Sequence, residues 1–460
     1  MTTLDRSSPS SSQVGTAAST GRLARAGQRL AWLEPVWLTL LAPAILLPGR
    51  FWDVHLQPYF VVALFLFWPV RRLAYGRWTV PSPLTWPTLV LLAWTPVTIA
   101  VAIDRTRAWE AAGYLLLGIA LCVALVNWPP VRRRPWLLVW PIVMTGLLLT
   151  VLGPQIMRVG EGSRFLRLPA LEPLLGQLAD QVGETINANV LAGALVLTIP
   201  FTLALAVEPR WSRRGWWPLL AALLALSGLL PLVLTQSRGA MLATGVALLV
   251  LLLLRWPATA WTLPLLAAAA AYGVYTIGWR AILDALSSNT SLVGLSGRVE
   301  IWDRAWHALH DFAWTGVGHG LFAPVVPWLY PYFTLAGDIP HAHNLLLQVG
   351  MDMGVVGILA YLGVLVAVFF MAGHTLRRAA ARRARYTDDE PGRRRHHLTW
   401  ALSAGLLAAF TGMTLHGLVD AVTWGTKLAF LPWLCYALAV ALYRGPNQRR
   451  RRRHRTPDPA

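Results

Sequence analysis

The feature that most limits what this chain can fold into is a succession of uncharged apolar runs, many of them close to 20 residues long. They fall at about 35–49, 56–70, 84–102, 111–128, 136–153, 186–207, 216–234, 239–254, 258–278, 344–372, 399–423 and 427–443. About 20 residues of helix cross the hydrocarbon layer of a bilayer. Backbone groups in lipid must find their partners within their own segment, so such runs fold as helices. Composition agrees, with 56% hydrophobic and 13% charged residues, where a soluble chain carries about 25% charged. The expected fold class is all-α: a polytopic membrane helical bundle of about twelve transmembrane helices with a large outward-facing loop.

Residues 1–34, rich in Ser, Thr, Ala and Gly and without a short apolar core, read as a disordered cytoplasmic tail and not a cleaved signal peptide. Residues 35–443 form the membrane domain and 444–460 a basic cytoplasmic tail. Cys122 and Cys435 lie inside apolar runs and pack as small hydrophobes. The net charge of +19 invites a nucleic-acid reading, but its distribution argues against one. With an even number of spans both termini lie on one side, and that side holds 29 of the 40 Arg and Lys residues. Basic residues in short loops are retained in the cytoplasm. Both ends are therefore read as cytoplasmic, in a bacterial inner membrane, with basic runs such as Arg393–Arg395 and Arg449–Arg453 touching anionic lipids.

The long loop at 279–343 then faces outward. The stretch from Ser296 to Gly357 holds five of the eleven histidines. Within it, Ile301, Trp302, Ala305, Trp306 and Leu309 share one face of an amphipathic helix that could lie flat on the membrane. A second outer loop, 154–185, carries Arg158, Arg164 and Arg167.

Arginine on the outer side runs against the topology rule and asks for a reason. Arg238, in Ser237-Arg238-Gly239-Ala240, sits in a tight outer turn. Its guanidinium matches phosphate in a bidentate way, or else snorkels to lipid headgroups. Arg298 opens the amphipathic helix and either meets an anion or pairs with Glu300 or Asp303. Arg304 lies on the same helix. Gly316-Val317-Gly318-His319-Gly320 is either a nest of backbone N–H groups for an anion or a plain turn. His343 directly precedes a long apolar run, where Asn344 can cap the helix. The positive end of that helix keeps an imidazole neutral, fit to act as a general base. His341 and His343 also admit a metal reading, yet neither a CxxC nor an HExxH pattern supplies further ligands nearby. No metal and no cofactor is expected.

In order, Asn187-Ala188-Asn189-Val190-Leu191-Ala192, Ser237-Arg238-Gly239-Ala240, Gly297-Arg298-Val299-Glu300-Ile301-Trp302, Thr315-Gly316-Val317-Gly318 and His343-Asn344-Leu345-Leu346-Leu347-Gln348, with Gly354 and Gly357, resemble the O-antigen ligase and O-antigen polymerase superfamily. The motifs cover roughly 185–370. The resemblance implies a metal-independent, inverting glycosyltransferase of the C-type membrane architecture. Such an enzyme moves a glycan from undecaprenyl pyrophosphate to an acceptor hydroxyl of a lipid, glycan or protein. It further implies that Arg238 and Arg298 hold the donor pyrophosphate and that His343 is the catalytic base. Asn189, Arg164, Arg167, Arg304, His319, His341 and Asp420 are further candidates. Asp352-Met353-Gly354 departs from the acidic-Leu-Gly pattern of the family, and Asp420 resembles a late family aspartate without an evident role.

Two other readings compete: a polymerase of lipid-linked repeat units, and a membrane transporter of a small anion. A transporter should carry ionisable groups or broken helices near the midplane. Here the mid-span regions carry almost no charge and polar residues gather at the outer surface, which favours surface chemistry.

Overall fold

A computed structural model describes residues 24–157, 186–281, 295–333, 339–385 and 392–445 of the chain. The described residues are almost entirely helical. In chain order they comprise α1 (Glu34–Leu46), α2 (Val54–Tyr75), α3 (Thr85–Ala100), α4 (Arg105–Asn127), α5 (Pro135–Pro154), α6 (Ala188–Val207), α7 (Trp216–Leu234), α8 (Arg238–Arg255), α9 (Pro257–Ile277), α10 (Leu295–Asp311), α11 (Phe322–Leu329), α12 (Leu345–Arg385), α13 (Arg393–Gly417) and α14 (Phe430–Arg444). Each of the twelve apolar runs lands on one of these helices. Nine are long and apolar enough to cross a membrane, and ten if the bent pair Ala24–Leu30 and α1 forms one span. Helices α3 and α14, with 16 and 15 residues, are apolar but shorter.

Helix α13 is the centre of the larger core, packing on α6, α12 and α8, while α14 packs on α4 and α12 on α3. Helix α6 is enclosed from Leu191 to Leu205, almost without a break. Lipid is as apolar as leucine, so these contacts are stabilised by close packing more than by removal of surface from water.

A second core joins α1, α2 and α4 to the polar excursion, through Ile301, Ala305 and Ala308 of α10, Phe322 and Val326 of α11, and Ala342. The described part of 279–343 is therefore largely helix packed on the N-terminal spans, not a free loop. The expected face of α10 needs one correction. Ile301, Ala305 and Leu309 are buried, but Trp306 is 63% exposed and Ala308 takes its place inside. A helix packed on one neighbour buries a narrow stripe, and Trp306 lies off it.

The run expected at 399–423 ends early, at Gly417. Residues 418–429 turn back toward α14, and this frees Asp420 from the helix. Helix α12 is also interrupted, at Gly354 (φ 65°, ψ −164°). A side chain there would meet the Trp314 carbonyl oxygen at 2.2 Å. The groups freed by the break are taken up by protein. Val355 N–H donates to the Ala313 carbonyl at 2.7 Å, the Met351 carbonyl accepts from Val317 N–H at 2.7 Å, and the Met353 carbonyl accepts from Trp94 Nε1 at 3.1 Å. Backbone at membrane depth must be satisfied in this way. Near the break lies an ionisable residue, Asp352, 1% exposed. It is an exception to the expectation that mid-span positions carry almost none.

Four helices, α6, α8, α12 and α13, share a buried ionic cluster at one end. Glu208, fully buried after α6, lies 2.6 Å from Arg383 Nη1, 3.5 Å from Arg255 Nε and 3.0 Å from His397 Nδ1. The opposite ends of the same helices carry the candidate site.

Candidate functional site

The site is built on Asp420, 1% exposed in the turn after α13. Its Oδ1 lies 3.6 Å from His341 Nε2 and 3.6 Å from His343 Nδ1, and accepts from Ala421 N–H at 2.8 Å. Its Oδ2 lies 3.9 Å from Arg298 Nη2. Burial pushes the Asp420 pKa up, but the imidazoles of His343, His341 and His416 together outweigh burial and hold it below the usual carboxylate range. Three buried polar atoms of this cluster have no hydrogen-bond partner in the protein: Arg298 Nε, His343 Nδ1 and Asp420 Oδ2. Such atoms ask for a proton shared across the cluster or for a ligand.

Local sequence explains how the groups are aimed. Arg298 and Trp302 are four residues apart on α10 and so share a face. Trp302 Nε1 donates to the His343 carbonyl at 3.1 Å. The Asn344 side chain caps α12 as expected, accepting from Leu346 N–H at 3.0 Å and Leu347 N–H at 3.1 Å. Its Nδ2 also donates to the Leu418 carbonyl at 3.0 Å, tying the histidines to the Asp420 turn. His343 has φ 46°. Among the described residues only Gln236, at φ 54°, is another non-glycine in the left-handed region. Such strain persists only where surrounding contacts over-determine it. Both residues stand just ahead of a helix at this end of the bundle.

The N-terminal ends of three helices meet the segment 416–422. A side chain at Gly193 of α6 would reach 2.2 Å from Val422 Cγ2 and 3.4 Å from His416 Nδ1, and one at Gly239 of α8 would reach 2.7 Å from Val419 Cγ2. Asn344 at the start of α12 supplies the third contact. Helix N-termini favour anions. Arg238 is the first residue of α8, exposed at this same end.

His319 belongs to a second buried cluster. Asp352 Oδ1 accepts from Gly320 N–H at 3.2 Å and from Gln348 Nε2 at 3.0 Å, and its Oδ2 accepts from Trp424 Nε1 at 2.8 Å. His319 Nδ1 lies 3.8 Å from Asp352 Oδ2, and its ring stacks on Trp424. Burial pushes the His319 imidazole down to about 4. The glycine run is thus a turn whose Val317 and Gly320 N–H groups are spent on α12.

The remaining candidates lie elsewhere. Arg304 pairs with Asp303 at 3.1 Å and covers the Phe333 ring, apart from the Asp420 cluster. Of the two asparagines at the start of α6, Asn187 caps the helix by accepting from Asn189 N–H at 2.8 Å. Arg164 and Arg167 lie outside the described residues. Two clefts, one lined by Trp68, Thr85 and Cys122 and one by Gly146, Thr198 and Leu224, involve none of the candidate residues.

The third member missing from a His341/His343 metal set is present in space, because the ligand atoms of His341, His343 and Asp420 lie within 4.8 Å of one another. The hydrogen bonding argues for protons instead. His341 Nδ1 accepts from His343 N–H at 3.2 Å. A neutral His341 then carries its proton on Nε2, the nitrogen that faces Asp420 and that a metal would need bare. Burial, against the attraction of Asp420, pushes the His341 imidazole down to about 4, so it is neutral near pH 7.

These features define a polytopic helical membrane protein with a buried His–Asp–Arg cluster where helix ends converge. Residues 221–362 match the model of the O-antigen ligase family, so the chain carries an O-antigen ligase domain. That match takes in Arg238, Arg298, His341 and His343 and stops before Asp420. No curated protein matches the chain.

Proposed function

We propose that the protein transfers a glycan from undecaprenyl pyrophosphate to an acceptor hydroxyl on the outer face of a bacterial inner membrane, without a metal. The observation that carries this reading is the convergence of Arg298, His341 and His343 on Asp420 beside three helix N-termini. With Nδ1 toward the Asp420 carboxylate, His343 keeps its proton there and offers Nε2 as the base. Nε2 takes the acceptor proton as the hydroxyl oxygen attacks the anomeric carbon. The bond from that carbon to the pyrophosphate oxygen breaks with inversion, and the lipid pyrophosphate leaves with the electron pair. Arg298, Arg238 and the helix N-termini stabilise the charge gathering on it. Asp420 orients the imidazole and stabilises the imidazolium formed.

The Arg-rich Glu208 end is cytoplasmic on this reading, which turns the site outward and fits twelve spans with both termini inside. A polymerase of repeat units would use the same groups and differ only in its acceptor. The break at Gly354 would favour a transporter, but its freed backbone groups are occupied by the protein.

The test is transfer by purified protein supplied with undecaprenyl-pyrophosphate glycan and candidate acceptors in the presence of a chelator. His343→Ala is expected to lower kcat by about 10²-fold or more. Arg298→Ala and Arg238→Ala should abolish transfer while folded protein remains in the membrane. Full activity in His343→Ala would remove the base assignment. A strict requirement for a divalent ion would transfer the His341–His343–Asp420 set to metal binding.

A further inference from the structure

The left-handed backbone of His343 must be held by something, and the contacts of Ala342, the residue before it, lead away from the site to Asp352. The N–H of Ala342, between the two histidines, donates to Gln348 Oε1 at 2.8 Å. The Gln348 amide is fixed at its other end, because Nε2 donates to Asp352 Oδ1. The second oxygen of Asp352 accepts from Trp424, four residues after Asp420. One carboxyl group thus fastens the loop bearing His341 and His343, the turn bearing Asp420, and, through Gly320, the glycine run. Packing alone does not ask for an acid there. Met351 and Met353 on either side are fully buried, and an uncompensated acid at such a position is costly.

We infer that Asp352, acting through Gln348 and Trp424, is the positioning group that sets His343 against Asp420. This rests on the reading of His343 as the base. Asp352 touches neither histidine 343 nor the guanidinium groups assigned to the donor, so its effect should fall on the chemical step and leave donor binding alone. Both of its oxygens accept hydrogen bonds. In Asp352→Asn the amide nitrogen therefore faces an N–H donor whichever way it turns. Gln348→Met keeps the length and burial but removes the acceptor for Ala342, and Trp424→Phe keeps the ring but removes the donor.

Transfer rates of the full chain in nanodiscs, at varied concentrations of lipid-linked donor, test this. Each of the three variants is expected to lower kcat by about 10–100-fold, with donor KM within about twofold of the parent. The Asp352→Asn/Gln348→Met double variant should be no worse than the poorer single one, since both cut the same connection. Should Asp352→Asn fail to fold, Gln348→Met and Trp424→Phe carry the same expectation. Parental kcat in Gln348→Met and Trp424→Phe, in a protein that His343→Ala inactivates, overturns the inference. So does a joint loss of kcat and donor affinity, the mark of a merely structural role. Full activity of His343→Ala instead overturns the proposed function, which keeps the two failures apart.

Discussion

Asp420 shows what a single side chain contributes here and why sequence alone undervalues it. It stands 77 residues beyond His343 and outside the matched domain, and the apolar run around it reads as more transmembrane helix. His343, Arg298 and the Asn344 cap were legible because each is local: a polar residue at the edge of an apolar run, or a cap beside the helix it closes. The partner of His343 was not, because it comes from another helix end. For the proposed base, Asp420→Asn should lower kcat by about 10²–10³-fold, because an amide can hold the imidazole in the opposite tautomer. Donor KM should change little or fall, since Arg298 loses its anionic neighbour. Steady-state transfer kinetics check this, and an unchanged kcat would show that the carboxylate does not serve His343.

The break in α12 lies beside Asp352, the group proposed to position the candidate site. Sequence marked the start of this helix and noted Asp352-Met353-Gly354 as a departure from a family pattern. Its apolar periodicity did not mark where the helix stops and restarts, since that pattern is blind to one glycine. An ionisable residue two positions before a glycine inside an apolar run was the available signal, because such a residue is expensive in lipid unless the fold answers it. Gly354→Ala places a side chain at φ 65° and 2.2 Å from a carbonyl oxygen. It should destabilise the protein by about 2 kcal/mol or more and cost activity as the 313–317 turn is displaced. Thermal unfolding in detergent reads the first effect, and a melting point equal to the parent's would show that the break is not required.

Across the described residues, the apolar pattern placed the candidate spanning helices, while the enclosure of the described part of the polar excursion between α1, α4 and α12 came only from tertiary packing. That enclosure has a measurable consequence with pH. His319 and His341 are held neutral by burial, each with its pKa near 4 where an exposed histidine has 6.5. The unfolded chain therefore binds more protons between those values. Stability is full above about pH 6.5 and falls as pH drops toward 4, by up to about 3 kcal/mol per imidazole. Asp420, held low, adds a loss of the same sign in acid. Melting temperature between pH 7.5 and 4.5 checks this: it should stay level down to about pH 6.5 and decline below it, more shallowly in His319→Phe.

Because Asp420 and Trp424 arrive from a turn after the matched region ends, the functional unit proposed for this protein is longer than the recognisable one. A graft that moved only 221–362 into a relative's scaffold would carry the arginines and both histidines yet inherit a foreign counter-charge. Its competence would then depend on how faithfully the host's last loop between helices reproduced that turn.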